Sequence, residues 1–203
     1  MNNQIIIIFM RAPELGAVKT RLAKDVGDAR ALELYRRFVQ RMVDGAAQSG
    51  IPWQICFCPP EGGAAIEAWL GGNLDLLPQV EGDLGARMAS ALAHAFDGGA
   101  EKAVLVGTDI PGVTAGDFHR AFDRLGKGDA VLGPTVDGGY WLIGFTRQGF
   151  RSGVFENMAW STSDVADQTR EAFRTLGLTF GELSPLRDID TLADLQAFDR
   201  ETS

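Results

Sequence analysis

The chain has 203 residues, 45% hydrophobic and 23% charged, with 27 Asp and Glu against 19 Lys and Arg for a formal net charge of -8. Such a length can bury one good core, and the composition is that of a globular protein, which excludes a largely disordered chain and leads us to expect one domain over residues 1–203. The acidic balance argues against general attraction to nucleic acid or anionic membrane, so phosphate binding, if present, must be local.

The first predicted element is the apolar run "QIIIIFM" at 4–10. It is continuous rather than alternating, as a central strand covered on both faces requires. It is too short to span a bilayer, which takes roughly 20 apolar residues, and no basic n-region or cleavage site marks a signal peptide, so a cytosolic location is expected. A loop follows that sets Arg11, Lys19, Arg21 and Lys24 among Pro, Gly and small residues. Beyond it, Leu32, Tyr35, Phe38, Val39, Met42, Val43 and Ala46 recur at helical spacing until Gly50 and Pro52 stop the helix.

"WQICFC" at 53–58 reads as a strand and "AAIEAWL" at 64–70 as a short helix. In "GDLGARMASALAHAF" at 82–96, Leu84, Met88, Leu92 and Phe96 share one helical stripe. "KAVLVG" at 102–107 is a second buried strand, and "TAGDFHRAFDRL" at 114–125 a helix with Thr114 and Asp117 at capping-box spacing. "DAVLGP" and "YWLIGF" are short apolar runs joined by "TVDGG", a hairpin signal. Residues 164–176 read as helix, "LTFGEL" at 178–183 as the last strand, and "TLADLQAF" as a final helix with Thr191 and Asp194 as another capping box. Strands alternating with helices predict an α/β protein of three layers, α/β/α, on a mostly parallel sheet.

Cys56 and Cys58 make no complete zinc site and read as packing thiols, and His94 and His119 lie unpaired in helical segments. The chemistry is expected instead where loops leave the carboxyl ends of the strands. Three segments meet there: 11–21, 107–111 and 137–140. Gly16 allows close backbone approach to a phosphate while Lys19 and Arg21 supply charge. "GAVKT" is not an ATPase phosphate loop, because two residues separate Gly16 from Lys19 and no Gly directly precedes the Lys. Surface ion pairs would explain the same cations. Asp109, at the end of a buried strand and near a Pro, can hold Mg²⁺ or Mn²⁺ together with water and ligand phosphates, or can simply form a turn. Asp137 can accept from sugar hydroxyls or ligate metal, Gly138 and Gly139 let backbone approach a ligand, and Tyr140 or Trp141 can stack on a ring; an ordinary hairpin turn accounts for the same letters. Asp188 and Asp190, ahead of a capped helix, offer a second carboxylate to the cation or serve the helix end.

In this order, "RAPELGAVKTRLA", "GDLGARM", "GTDIP", "LGPTVDGGYWLIG", "WSTSDV" and "DIDTLADL" resemble the nucleotide-diphospho-sugar transferase superfamily, the GT-A type glycosyltransferases and their nucleotidyltransferase relatives. More closely they resemble a bacterial subfamily of uncharacterised GT-A-like proteins, similar also to phospholactate guanylyltransferases. The resemblance spans nearly the full chain and implies a Rossmann-like sheet of the GT-A type. It implies that the first loop, through Arg11, Gly16, Lys19 and Arg21, embraces a nucleotide and its phosphates, and that Gly85 and Arg87 contact base or phosphate. Asp109 would bind the metal, with Asp188 or Asp190 completing the site, and the loop of Asp137, Gly138 and Gly139 would face the acceptor. Two departures stand out: Ala12, Pro13, Glu14 and Leu15 replace the usual Gly-rich first loop, and Gly107, Thr108 and Asp109 keep only the last acid of a D-x-D.

The expected function is metal-dependent transfer from a nucleotide sugar to an unknown small-molecule acceptor. The alternatives are a nucleotidyltransferase that joins a nucleoside triphosphate to a phosphorylated acceptor with release of pyrophosphate, and a nucleotide-binding protein without catalysis. On the sequence, Asp109→Ala is expected to abolish metal-dependent nucleotide binding and leave the melting temperature nearly unchanged, as for an exposed loop carboxylate.

Overall fold

The computed structural model describes residues 3–201. Among them, strands β1 (Gln4–Arg11), β2 (Trp53–Cys58), β3 (Leu76–Pro78), β4 (Lys102–Gly107), β5 (Ala130–Pro134), β6 (Tyr140–Thr146) and β7 (Phe180–Glu182) form one sheet in the order β3-β2-β1-β4-β6-β5-β7. Neighbours run parallel except at β6, which is antiparallel to both β4 and β5. The "TVDGG" hairpin therefore forms as expected, and its returning strand inserts beside β4 at the centre of the sheet. This is the three-layer, mostly parallel sheet that the alternation of strands and helices predicts.

Helices α1 (Thr20–Val26), α2 (Asp28–Gln48), α3 (Gly63–Leu70), α4 (Leu84–Asp97), α5 (Ala115–Arg124), α6 (Val165–Thr175) and α7 (Leu192–Glu201) accompany the sheet. The continuous apolar run of β1 divides between its two faces. Ile6, Ile8 and Met10 pack with Tyr35, Val39 and Met42 of α2 and Phe118 of α5. Ile7, with Ile5 and Phe9, packs on the opposite side with Met88, Leu92 and Phe96 of α4 and Phe173 of α6. A third, smaller cluster joins Leu22, Leu34, Phe38 and Ile189, with Leu192 and Leu195 against it.

Helix entries are fixed by side chains where the sequence places caps. Asp83 accepts from the Ala86 amide at 2.8 Å, Thr114 and Asp117 make a capping box, and Asp194 accepts from the Thr191 amide at 2.8 Å while Thr191 accepts from the Asp194 amide at 3.3 Å. Of the strands and α-helices among the described residues, two lie outside the sequence-based prediction. One is β3, three residues at the sheet edge; the other is α1, seven residues that bury Leu22 alone. Neither is long enough to show a periodicity.

Candidate active site

A cleft of about 510 Å³ opens at the carboxyl ends of β1 and β4, next to the start of β6. Arg11, Lys19 and Arg21 line it from the first loop, Gly107, Thr108 and Asp109 from the end of β4, Arg87 from α4, and Tyr140 from β6; Asp190 closes it. In sequence these residues run from position 11 to position 190. The doubly wound sheet gathers them because its loops leave on one side.

The late acids arrive by a specific route. The segment after β7 continues parallel to β5 and the residues after it, where the Leu186 amide donates to the Pro134 carbonyl and the Val136 amide to the Leu186 carbonyl, both at 3.1 Å. It then reaches β4's loop, and the Ile189 amide donates to the Asp109 carbonyl at 3.0 Å. Ile189 itself is fully buried among Leu22, Leu34 and Phe38. Asp194 of the α7 capping box also accepts from the Asp190 amide at 3.2 Å, so the box that starts the helix also fixes this acid's backbone.

Lys19 sits between the two acids. Its ammonium lies 2.6 Å from Asp109 Oδ1 and 3.1 Å from Asp190 Oδ1, and it donates to the Ile189 carbonyl at 2.6 Å. The Lys19 side chain is 3% exposed, whereas those of Asp109 and Asp190 are 49% and 37% exposed. Arg21 reaches Asp190 Oδ2 only at 3.4 Å and is largely in solvent. Asp188 lies within the field of the same cluster. Partial burial first, then the carboxylates of Asp137 and Asp190, push its carboxyl up to about 6, against the pull of Lys19.

Other cations of the cleft have no acid to hold them. Among the described residues the Arg11 guanidinium makes no hydrogen bond or ion pair, and Arg87 donates only through Nε to the Gly82 carbonyl at 2.9 Å. Arg11's backbone, by contrast, is tightly fixed. The Tyr35 hydroxyl donates to its carbonyl at 2.7 Å and accepts from its amide at 3.0 Å, and burial drives that phenol far above its ordinary pKa.

Gln79 is a lining residue that sequence reasoning misses. Its amide donates to the Cys56 carbonyl at 3.0 Å, at the open end of the sheet. A polar residue directly after a three-residue edge strand gives no periodic signal. Tyr35 was visible only as one position of α2's apolar stripe, and its hydroxyl is what reaches the site.

Several predicted residues stand back from the cleft. Gly85 packs where α4 meets Phe155 and Trp160, and a Cβ there would come within 2.7 Å of the Phe155 carbonyl oxygen. The missing side chain is what allows α4 to approach that segment so closely. Gly16 (φ 77°) lies at an exposed bend of the first loop. Gly138 (φ 93°) is pressed against the Ser163 carbonyl, and its own carbonyl accepts from the Ala166 amide at 2.9 Å. Asp137 accepts from Thr135 and from the Gly139 amide, closing the hairpin turn, while its charge still acts on Asp188. The DG turn therefore docks this loop on the start of α6, beside the cleft.

The cysteines match the packing reading in part. Cys56 is buried, with its thiol pushed up to about 12 by burial and then by Cys58, whereas Cys58 lines the cleft. His94 and His119 are exposed on α4 and α5.

Among the described residues no group of three or more His, Cys, Asp or Glu could hold a metal ion. The donor set is thus no closed cage of the calcium or structural-zinc kind. Two partly exposed carboxylates at a cleft lined by arginines do fit a Mg²⁺- or Mn²⁺-type ion held by one or two acids and completed by water and ligand phosphates.

The family model described as "Uncharacterized protein conserved in bacteria (DUF2064)" matches residues 42–162. A Desulfovibrio desulfuricans G20 protein, provisionally assigned as a nucleotide-diphospho-sugar transferase, is 38% identical, with a TM-score of 0.95 over 100% of this chain and 89% of its own. Phosphoenolpyruvate guanylyltransferase of Chloroflexus aggregans is 28% identical over 120 residues, which are 57% of this chain and 59% of that protein, so the match spans little more than half of the curated relative. The manganese complex of Rv0371c from Mycobacterium tuberculosis H37Rv shares the fold at 21% identity and a TM-score of 0.55, over 96% of this chain and 97% of that one. Among the described residues no helix is long and apolar enough to cross a membrane. With a family model over more than half its length and a 38% identical relative along all of it, this chain belongs to the bacterial family DUF2064, on the fold of the nucleotide-diphospho-sugar transferase superfamily.

Proposed function

We propose that the protein is a metal-dependent nucleotidyltransferase, which joins a nucleoside triphosphate to a phosphorylated or carboxylate-bearing small molecule and releases pyrophosphate. The observation that carries this reading is the pairing, in one cleft, of the acids Asp109 and Asp190 with two arginines, Arg11 and Arg87, that have no carboxylate partner among the described residues. In a chain of net charge -8, cations left without acids are costly to group together unless an anionic ligand completes them.

In this reading Arg11, Arg21 and Arg87 bind phosphate oxygens and balance the charge that builds on the departing pyrophosphate. A divalent cation held by Asp109 and Asp190 would neutralise phosphate charge alongside them. An acceptor oxygen attacks the α-phosphorus, and the bond to the bridging oxygen of pyrophosphate breaks. The Tyr35 hydroxyl keeps the end of β1, and with it the root of Arg11, in place. The triphosphate donor moves ahead of the nucleotide sugar that the sequence favoured for two reasons: the number of arginines at the cleft, and the guanylyltransferase activity named for the Chloroflexus relative. Sugar transfer is the second reading, supported by the assignment of the 38% identical Desulfovibrio protein.

The test offers each nucleoside triphosphate with Mn²⁺ and a panel of phosphorylated and carboxylate acceptors, and measures pyrophosphate. Acceptor-dependent pyrophosphate release is expected. Release of nucleoside diphosphate from UDP-, GDP- or CDP-sugars in place of pyrophosphate would transfer the assignment to the second reading, and binding without turnover of any donor would favour a nucleotide-binding protein.

A further inference from the structure

Lys19 is the least ordinary residue of the first loop. It carries a side chain yet adopts a left-handed backbone, φ 49° and ψ 41°, at the entry to α1, a conformation that costs any residue with a Cβ. What this conformation accompanies is a buried ammonium. The side chain is 3% exposed, and its Nζ contacts one oxygen of Asp109, one oxygen of Asp190 and the carbonyl of Ile189. The acids themselves keep 49% and 37% of their side chains in solvent. The cation is therefore the buried member of the cluster, and the two acids, which line the cleft, stay partly open to solvent.

This arrangement bears on how the acids meet a metal. Without Lys19, Asp109 and Asp190 present two negative charges to an arriving divalent ion. With it, one of the two is neutralised at contact distance, and one oxygen of each acid is engaged. The remaining oxygen of Asp190 is shared further with Arg21 at 3.4 Å. Asp188 lies in the field of the same cluster.

We infer that Lys19 is a built-in counter-cation that prevents Asp109 and Asp190 from taking up a divalent metal alone, so that metal enters only together with the phosphate oxygens of the nucleotide. The inference rests on the metal-dependent reading of the cleft. It changes the role given to Lys19 from the sequence: a buried ammonium that already holds two carboxylates and a carbonyl is a positioning residue, and phosphate contact falls to the arginines. Its consequence is an ordered site, in which metal and nucleotide raise each other's affinity reciprocally.

The test is a titration with Mn²⁺ alone, followed by the paramagnetic signal of the free ion, on wild type, Lys19→Met and Lys19→Arg, each first shown to be folded by circular dichroism. Wild type is expected to bind Mn²⁺ weakly and Lys19→Met on the order of tenfold more tightly. Lys19→Arg, which restores the charge, should return to weak binding, and adding Asp109→Asn to Lys19→Met should remove the gain. Equal or weaker binding by Lys19→Met, or an equal gain in Lys19→Arg, would overturn the inference. Should Lys19→Met not fold, the wild type alone still decides: tight binding of Mn²⁺ without nucleotide contradicts the inference, and weak binding that nucleoside triphosphate strengthens supports it. These arms without nucleotide are separate from the functional reading, which fails instead if no nucleotide binds under any condition.

Discussion

Asp109→Ala now carries a different expectation from the one that an exposed loop carboxylate suggests. The side chain is about half in solvent, but its partner, the Lys19 ammonium at 2.6 Å, is buried. Deleting one member of a fully buried ion pair costs about 3–5 kcal/mol, and a hydrogen bond to a charged group is worth about 1.5–3 kcal/mol. Lys19 keeps Asp190 and the Ile189 carbonyl, and the solvent around Asp109 screens the loss, so about 1–2 kcal/mol is the appropriate scale. At about 2–4 °C per kcal/mol for a chain of this size, the melting temperature should fall by about 2–8 °C. The assay is thermal unfolding followed by circular dichroism, without ligand or metal, on wild type, Asp109→Ala, Lys19→Met and the double variant. If the pair is as described, the two losses are not additive, and the cycle returns a coupling of about 1 kcal/mol or more. An unchanged melting temperature in Asp109→Ala, or strict additivity, would refute the reasoning.

Arg11→Ala and Arg87→Ala should each weaken nucleotide binding on the order of tenfold by calorimetry, since each removes a charge-assisted contact, while their melting temperatures stay within about 1 °C because neither holds an ion pair in the fold. Gly138→Ala places a Cβ on the Ser163 carbonyl at a left-handed backbone, and it should lower stability by about 2–4 kcal/mol in urea unfolding and detach the hairpin loop from α6; a neutral result would mean that the loop is not seated there. Asp188 gives a pH signature. Its folded pKa of about 6 lies above the ordinary aspartate range, so the native state holds the proton more tightly and stability falls as pH rises from about 4 to about 6. Asp188→Asn should flatten that slope, be more stable than wild type at about pH 7.5 by about 1 kcal/mol after solvent screening, and match it near pH 3.5.

Much of the frame is legible in the letters because it depends on local pattern. "QIIIIFM" and "KAVLVG" announce central strands, since only a strand covered on both sides is apolar throughout. The capping boxes at Thr114 and Thr191 mark their helices because a side chain and an amide three residues apart satisfy each other locally. The site is legible only as a set of loops. That Asp190 reaches Asp109 depends on a path of backbone hydrogen bonds along β5 and on Ile189 filling a gap between α1 and α2. No local pattern encodes that distance. The burial of Lys19 is hidden for the same reason, because a lysine in a Gly- and Pro-containing loop reads as solvent-exposed until Asp109 and the Ile189–Asp190 segment are brought against it. Gly85 and Gly138 carry a constraint that the letters do not show: at both, another piece of backbone lies where a Cβ would stand.

The most direct test of the proposed cleft is calorimetric titration of wild type and Asp109→Asn with each nucleoside triphosphate, with Mn²⁺ and with chelator. The account predicts binding to wild type that requires Mn²⁺ and is lost in a folded Asp109→Asn. Binding of no nucleotide to wild type, or binding that is indifferent to both the metal and Asp109, would contradict it.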